Sequence, residues 1–344
     1  MVLTPMQTRS AYMKSPWEFE IRAIDLPERP PAGWAFIQIE ACGICGTDLT
    51  SAESKATKWQ AFGHEIAGVI ESIEPGLHGL RSGDHVVLES SSYCGTCATC
   101  RNGRVDLCNK GPNFWGQPAM GFGERMLAPA GCLVSYKDLP PELACLAEPA
   151  GVAFDMVKTA NIRLGERVCI VGPGPIALMA IPMALRSGAT RVICIGKTRG
   201  RRRLEVAGLL GAEPIAHDGP LDSLVNLKQQ FDHVLMTAPV QCIPEALSFL
   251  AYGGEMTYIG IGTGASAISF DANNFHFRKL QLRASFASPA IYYPTVLELL
   301  RTKVIPGDLI VSHRFPLGEI AGAMTTCRDD KGAAVKVVVT ARER

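Results

Sequence analysis

The sequence carries almost no net charge: 34 basic side chains against 33 acidic leave +1 over 344 residues. No field of one sign covers such a surface, which argues against nucleic acid as a partner. Low-complexity tracts and internal repeats are absent. With 47% hydrophobic and 19% charged residues, the chain has too much apolar side chain to be disordered. Met1 to Pro16 lacks an apolar run with a basic start and a small-residue cleavage site, so no signal peptide is read there. The longest uncharged stretch, Val168 to Leu185, is interrupted by Gly172, Pro173, Gly174, Pro175 and Pro182. It suits a strand, a turn and a helix rather than a membrane span. Cysteine, 12 of 344 residues, is too sparse for a disulfide scaffold. These absences point to a cytoplasmic chain, where cysteines bind metal or stay reduced.

The length suggests two domains. The first half reads as β-rich, with strand patterns at Phe36–Glu40, Ile66–Ile73 and His85–Leu88. After about residue 150 the texture changes. Strand patterns at Val168–Val171, Arg191–Ile195, Phe231–Met236 and Met256–Gly260 are interspersed with helical ones at Ile176–Arg186 and Leu204–Leu210. That alternation predicts a parallel sheet covered on both faces, an α/β class. Tyr293–Leu300 reads as a helix and Val335–Val339 as a closing strand.

Three constellations carry chemistry. Cys94, Cys97, Cys100 and Cys108 are separated by two, two and seven residues, with Gly95 and Gly103 between them. Four thiolates this close can enclose one zinc and leave no open position, which reads as a structural site. An iron–sulfur cluster and a zinc-ribbon module are the alternatives, the second without the basic and aromatic clustering it needs. Cys45, His64, Glu65 and Glu148 form a second, split set. A thiolate, an imidazole and carboxylates suit a zinc with an exchangeable position. By spacing alone, Cys42 and Cys45 could equally be a redox pair.

The third constellation is Val168–Ala177, V-C-I-V-G-P-G-P-I-A. Gly172, Pro173, Gly174, Pro175 and Ile176 sit where backbone N–H groups approach a pyrophosphate at a helix start. An NAD site usually puts Asp or Glu at the end of the second strand. Here the chain reads Gly196-Lys197-Thr198-Arg199-Gly200-Arg201, so Lys197, Thr198, Arg199 and Arg201 are expected to face a 2′-phosphate, and NADP is expected over NAD. A solvated basic helix start is the competing reading.

Taken in this order, Cys45-Gly46-Thr47-Asp48, Gly63-His64-Glu65, the four-cysteine loop, Glu148-Pro149 and the glycine turn resemble the zinc-dependent medium-chain dehydrogenase/reductase family. The resemblance implies a GroES-like β-rich catalytic domain, 1–153 with 286–344, around a Rossmann-type doubly wound domain, 154–285. It implies two zinc ions per chain and hydride transfer between NADP (or NAD) and a small alcohol or ketone, in a homo-oligomer, dimer or tetramer. It gives Cys45 and His64 as zinc ligands, and Glu148 where polyol and threonine dehydrogenases of the family have a glutamate. Glu65 binds the metal or holds its water, Thr47 meets the substrate oxygen, and Asp48 steadies His64. The substrate expected is a polyol, sugar or amino alcohol. The alternatives are a threonine 3-dehydrogenase-like activity and a non-catalytic zinc-binding regulator. Three departures stand out. Thr50 replaces the histidine many relatives use to relay a proton, Pro182 interrupts a helix, and Thr237-Ala238-Pro239 replaces a small-residue stretch. Phe62, Phe114, Trp115, Phe286 and Tyr292 are aromatic candidates for a pocket, each equally a core residue.

Overall fold

The computed structural model describes residues 6–260 and 266–341. The chain divides into two compact units. One comprises Met1–Gly151, Ala287–Asp330 and Lys336–Arg344, and the other Val152–Phe286 and Lys331–Val335.

The first unit is built on β-structure from both ends of the chain. Its larger sheet runs in the order Val311–Pro316, Lys336–Thr340, Trp34–Gly43, Glu65–Ile73, His85–Leu88 and Leu133–Ser135. Arg125–Pro129 also pairs with Trp34–Gly43. The central strand Trp34–Gly43 is mostly buried, as its apolar run requires. Its far end sets the register that matters: Gly43 lies opposite both Glu65 and Val338. A residue near the C-terminus is thereby placed beside two near the N-terminus. A smaller sheet contains Met6–Lys14 and Glu18–Leu26, strands the apolar patterning did not single out. Glu18–Leu26 alternates charge with half-buried side chains and so has no apolar run, while in Met6–Lys14 the apolar run is only Ala11–Met13.

The second unit holds six parallel strands in the order Glu213–Ala216, Arg191–Gly196, Arg167–Val171, Phe231–Met236, Leu250–Tyr258 and Gln281–Ala284. In sequence order this is 3-2-1-4-5-6, the doubly wound arrangement, with its switch point between Arg167–Val171 and Phe231–Met236. The strand beginning at Leu250 starts six residues earlier than the apolar run at Met256 suggested, because Tyr252 and Gly253 extend it through an exposed stretch. Pro182 does not end its helix, which continues from Pro175 to Ser187. Ala177–Ile181 are fully buried against the sheet, and that packing outweighs the one lost hydrogen bond. Among the described residues no helix is long and apolar enough to cross a membrane.

Candidate active site

Cys45 ends the segment that leaves strand Trp34–Gly43 and caps the short helix Gly46–Thr50. Its backbone N–H donates to Asp48 Oδ2 at 2.9 Å, which fixes the start of that helix. His64 and Glu65 enter the same place from the start of the neighbouring strand. Gly63 lets them turn in. It has φ +93°, and a Cβ there would lie 2.7 Å from the Phe122 ring, so both its conformation and its space require glycine. The sulfur of Cys45, a nitrogen of His64 and a carboxylate oxygen of Glu65 all lie within 4.8 Å of one another.

A carboxylate lies near each ring nitrogen of His64. Nδ1 lies 3.8 Å from Asp48 Oδ1, and Nε2 lies 4.0 Å from Glu148 Oε1. Glu148 reaches in from the first turn of helix Ala147–Ala160, an element the sequence did not delimit. Burial pushes its carboxyl up to about 7 even though His64 pulls it down. Asp48 is likewise raised by burial against the pull of His64. Burial would lower the His64 imidazole, but Cys45, Asp48 and Glu148 outweigh it and hold it well above the usual range. A thiol, an imidazole and buried carboxyl groups thus meet in one place. A divalent cation with a Cys, His and carboxylate preference fits that donor set.

Glu65, 1% exposed, has a partner the sequence reading missed. The Lys336 ammonium lies 2.5 Å from its Oε1, contacts its Oε2, and donates to the Ile44 carbonyl at 2.9 Å. Burial opposes the Lys336 charge, and Glu65 more than offsets it, keeping the ammonium protonated. The pair exists only because position 43 is glycine: a Cβ there would run into the Glu65 carboxylate and come 2.8 Å from Lys336 Cε. A charge set in the strand just before Val337-Val338-Val339 was the available signal. A lone lysine there must find a buried anion.

The remaining candidates divide clearly. Thr47 is exposed on the helix that follows Cys45. Thr50 donates its hydroxyl to the Gly46 carbonyl at 3.1 Å, a bond within its own helix. Phe62 and Phe114 are buried in the core, and Phe286 is exposed. Trp115, 51% exposed, stands with its ring 5.3 Å from that of His64. Tyr293 is fully buried, with a hydroxyl that has no hydrogen-bond partner among the described residues.

The four-cysteine loop closes on itself. Its Sγ···Sγ separations are 4.0 Å (Cys94–Cys100), 3.5 Å (Cys97–Cys100), 3.9 Å (Cys97–Cys108) and 3.6 Å (Cys94–Cys108). A tetrahedron with Zn–S of about 2.3 Å has edges of about 3.8 Å, so the sulfurs fit a zinc and are much too far apart for disulfides. Backbone N–H groups of Cys94 and Cys97 donate to Sγ of Cys108 and Cys94, each at 3.3 Å. Such bonds from Thr96 and Cys97 lower the Cys94 thiol to about 6, toward the thiolate a metal needs.

In the second unit the glycine turn sits at the switch point. Thr237 donates its hydroxyl to the Val171 and Gly172 carbonyls, so Thr237-Ala238-Pro239 packs against the turn. A Cβ on Gly172 would lie 2.9 Å from Ala238 N, whereas one on Gly174 would meet nothing within 4 Å. Gly174 thus borders open space at the start of a thirteen-residue helix. Pro173 and Pro175 have no N–H, which leaves Ile176 and Ala177 to offer the free donors of the first turn. That opening and those donors fit a pyrophosphate. Among the basic residues, Lys197 donates to the Asp218 carbonyl at 2.7 Å, and Arg201 and Arg202 both pair with Glu205 at 3.4 Å. Arg199 is exposed.

Comparisons with known proteins bear on both units. The family model for the alcohol dehydrogenase GroES-like domain matches residues 31–140, and that for zinc-binding dehydrogenase matches 175–302. An L-threonine 3-dehydrogenase from Pyrococcus horikoshii is 30% identical over 311 residues, covering 86% of this chain and 88% of its own. An L-arabinitol 4-dehydrogenase from Talaromyces emersonii is 27% identical, covering 90% of this chain and 86% of its own. Among solved structures, alcohol dehydrogenase TADH from Thermus sp. ATN1 superposes with a TM-score of 0.85 at 27% identity, covering 97% of this chain and all of its own.

Proposed function

Because the chain belongs to the zinc-dependent medium-chain dehydrogenase/reductase family, we propose that it transfers hydride between a nicotinamide dinucleotide and a secondary alcohol or its ketone. The substrate in this reading is a polyol, sugar or amino alcohol, and NADP is preferred to NAD. The observation that carries it is the convergence of Cys45, His64 and Glu65 within 4.8 Å, with Glu148 4.0 Å from His64. Residues 1–153 with 286–344 serve as the catalytic domain and 154–285 as the nucleotide-binding domain, in a homo-oligomer that light scattering would detect.

Cys45, His64, Glu148 and, when released by Lys336, Glu65 would hold the catalytic zinc, and Cys94, Cys97, Cys100 and Cys108 a structural one. Zinc at the first site supplies a Lewis acid that favours the deprotonated alcohol. A nicotinamide dinucleotide supplies the hydride acceptor, its pyrophosphate received by the N–H groups of Ile176 and Ala177. Asp48, 3.8 Å from Nδ1 of His64, would steady the imidazole as a zinc ligand. Thr47 offers its exposed hydroxyl to the substrate oxygen. Thr50 keeps its own hydroxyl on Gly46, so the proton leaves through Thr47 or Glu65 rather than along the helix. Lys336 holds Glu65 in place.

Glu148 and the arabinitol-acting relative support polyols, and the threonine-acting relative supports an amino alcohol. The test is a panel of sugar alcohols, amino alcohols and their ketones, assayed with each cofactor before and after zinc removal. Zinc-dependent turnover with a larger kcat/KM for NADP is expected. Failure with every carbonyl would favour a non-catalytic regulator, and a clear NAD preference would refute the cofactor assignment.

A further inference from the structure

The acid that a dinucleotide turn usually has at the end of its second strand is absent here for a physical reason. Strand Arg191–Gly196 ends against the turn: a Cβ on Gly196 would lie 2.5 Å from Pro173 Cγ and 2.7 Å from its Cδ. No side chain fits that position. The next strand over supplies a carboxylate instead. His217 N–H donates to the Gly196 carbonyl at 2.8 Å, which leads the chain from Glu213–Ala216 to Asp218 beside the same loop. Asp218 Oδ1 accepts from the Thr198 backbone N–H at 3.1 Å, its Oδ2 accepts from the Thr198 hydroxyl, and its carbonyl accepts from Lys197 Nζ at 2.7 Å. The two bonds from Thr198 hold the Asp218 carboxyl below its ordinary range, so it is an anion at neutral pH.

The nearby cations offset it only in part. Lys197 is tied to the Asp218 carbonyl, Arg201 and Arg202 share Glu205, and Arg203 donates to the Ala334 carbonyl at 2.9 Å.

We infer that Asp218 is a cofactor-discriminating residue: its carboxylate occupies the Thr198 donors beside the glycine turn, so a 2′-phosphate must displace it, whereas a ribose 2′-hydroxyl can donate to it. The inference rests on the reading that an adenine dinucleotide binds at the turn. It makes the margin of NADP over NAD a competition between two anions for Thr198, with Lys197 and Arg199 favouring the phosphate.

The test measures binding rather than turnover. The full-length protein is titrated calorimetrically, at fixed ionic strength, with adenosine 2′,5′-bisphosphate and with adenosine 5′-monophosphate. Asp218→Asn is expected to strengthen bisphosphate binding about fivefold, the size of one removed charge at an exposed site, and to leave the monophosphate within about twofold. Adding Thr198→Val should remove the gain, because the contested hydroxyl is then gone. Asp218→Ala, which cannot keep an amide oxygen on Thr198, should show the same sign. Bisphosphate binding that is unchanged or weaker in both Asp218 variants, with the monophosphate still bound, overturns the inference and leaves Asp218 as a brace for the loop. If the wild-type protein binds neither compound, the dinucleotide reading fails and this inference with it.

Discussion

All four sulfurs of the four-cysteine cluster come from one stretch of chain, Cys94 to Cys108, and meet with separations of 3.5–4.0 Å. The Cys45 cluster draws its groups from four places: Cys45 with Asp48, His64 with Glu65, Glu148, and Lys336. In the loop, a few backbone turns and N–H donors suffice to gather the ligands. In the other cluster, strand pairing brings the groups together, and the opposed positions Gly43, Glu65 and Val338 do most of it. The loop should therefore depend on its metal for order, while the Cys45 cluster should depend on the fold for its metal.

The sharpest way to break this contrast is at Cys45. Cys45→Ala or His64→Ala is expected to lower turnover at least about 10³-fold, as loss of a Lewis acid would, while Tm moves by no more than about 3 °C. Elemental analysis should show one zinc lost and one retained. Activity retained by a metal-free Cys45→Ala preparation would contradict the assignment. The converse change is Cys97→Ser, expected to lower Tm by about 10 °C because a structural metal contributes folding free energy. Turnover per folded molecule should stay within about twofold, and an unchanged melting curve would remove the loop's structural role.

A third test separates charge from metal. Lys336→Met leaves Glu65 as a buried anion without its partner and is expected to cost about 3 kcal/mol in denaturant titrations. Adding Glu65→Gln should restore most of that loss. If the double variant is no better than the single one, the lysine stem rather than the ion pair is what matters.

The smallest effect is a pH dependence. Glu89 is buried, and desolvation pushes its carboxyl up to about 7 despite a bond from Ser92. The folded state therefore binds more protons than the unfolded one between about pH 4.5 and 7, so this group makes stability fall as pH rises through that window. Glu89→Gln should flatten the slope and raise Tm by a few degrees, or about 3 °C, at pH 8 while changing little at pH 4.5. An equal Tm gain at both pH values would show that the substitution acts through packing.

Much of this was legible in one dimension. The Cys94–Cys108 spacing identified its cluster because short loops have few ways to fold. Two buried strands of the second unit were read nearly to their ends, since Val168–Val171 is apolar throughout and Phe231–Met236 closes on Val234-Leu235-Met236. The N-terminal strands Met6–Lys14 and Glu18–Leu26 were not read: the second interrupts its own pattern with charge, and the apolar run of the first, Ala11–Met13, is too short to stand out. Lys336 and Asp218 were missed for a related reason. A charged side chain looks solvated until its partner is known, and the partners lie 271 and 20 residues away in sequence.

The sequence by itself determined which chemistry is present: the thiolates, the imidazole, the acids and the glycine turn, because residue type and local spacing set what a short segment can bind. Only the tertiary structure decided which of those groups share a site and in what charge state. Strand pairing across Gly43 brought Lys336 onto Glu65, and the steric closure of Gly196 on Pro173 passed the carboxylate's place beside the turn to Asp218.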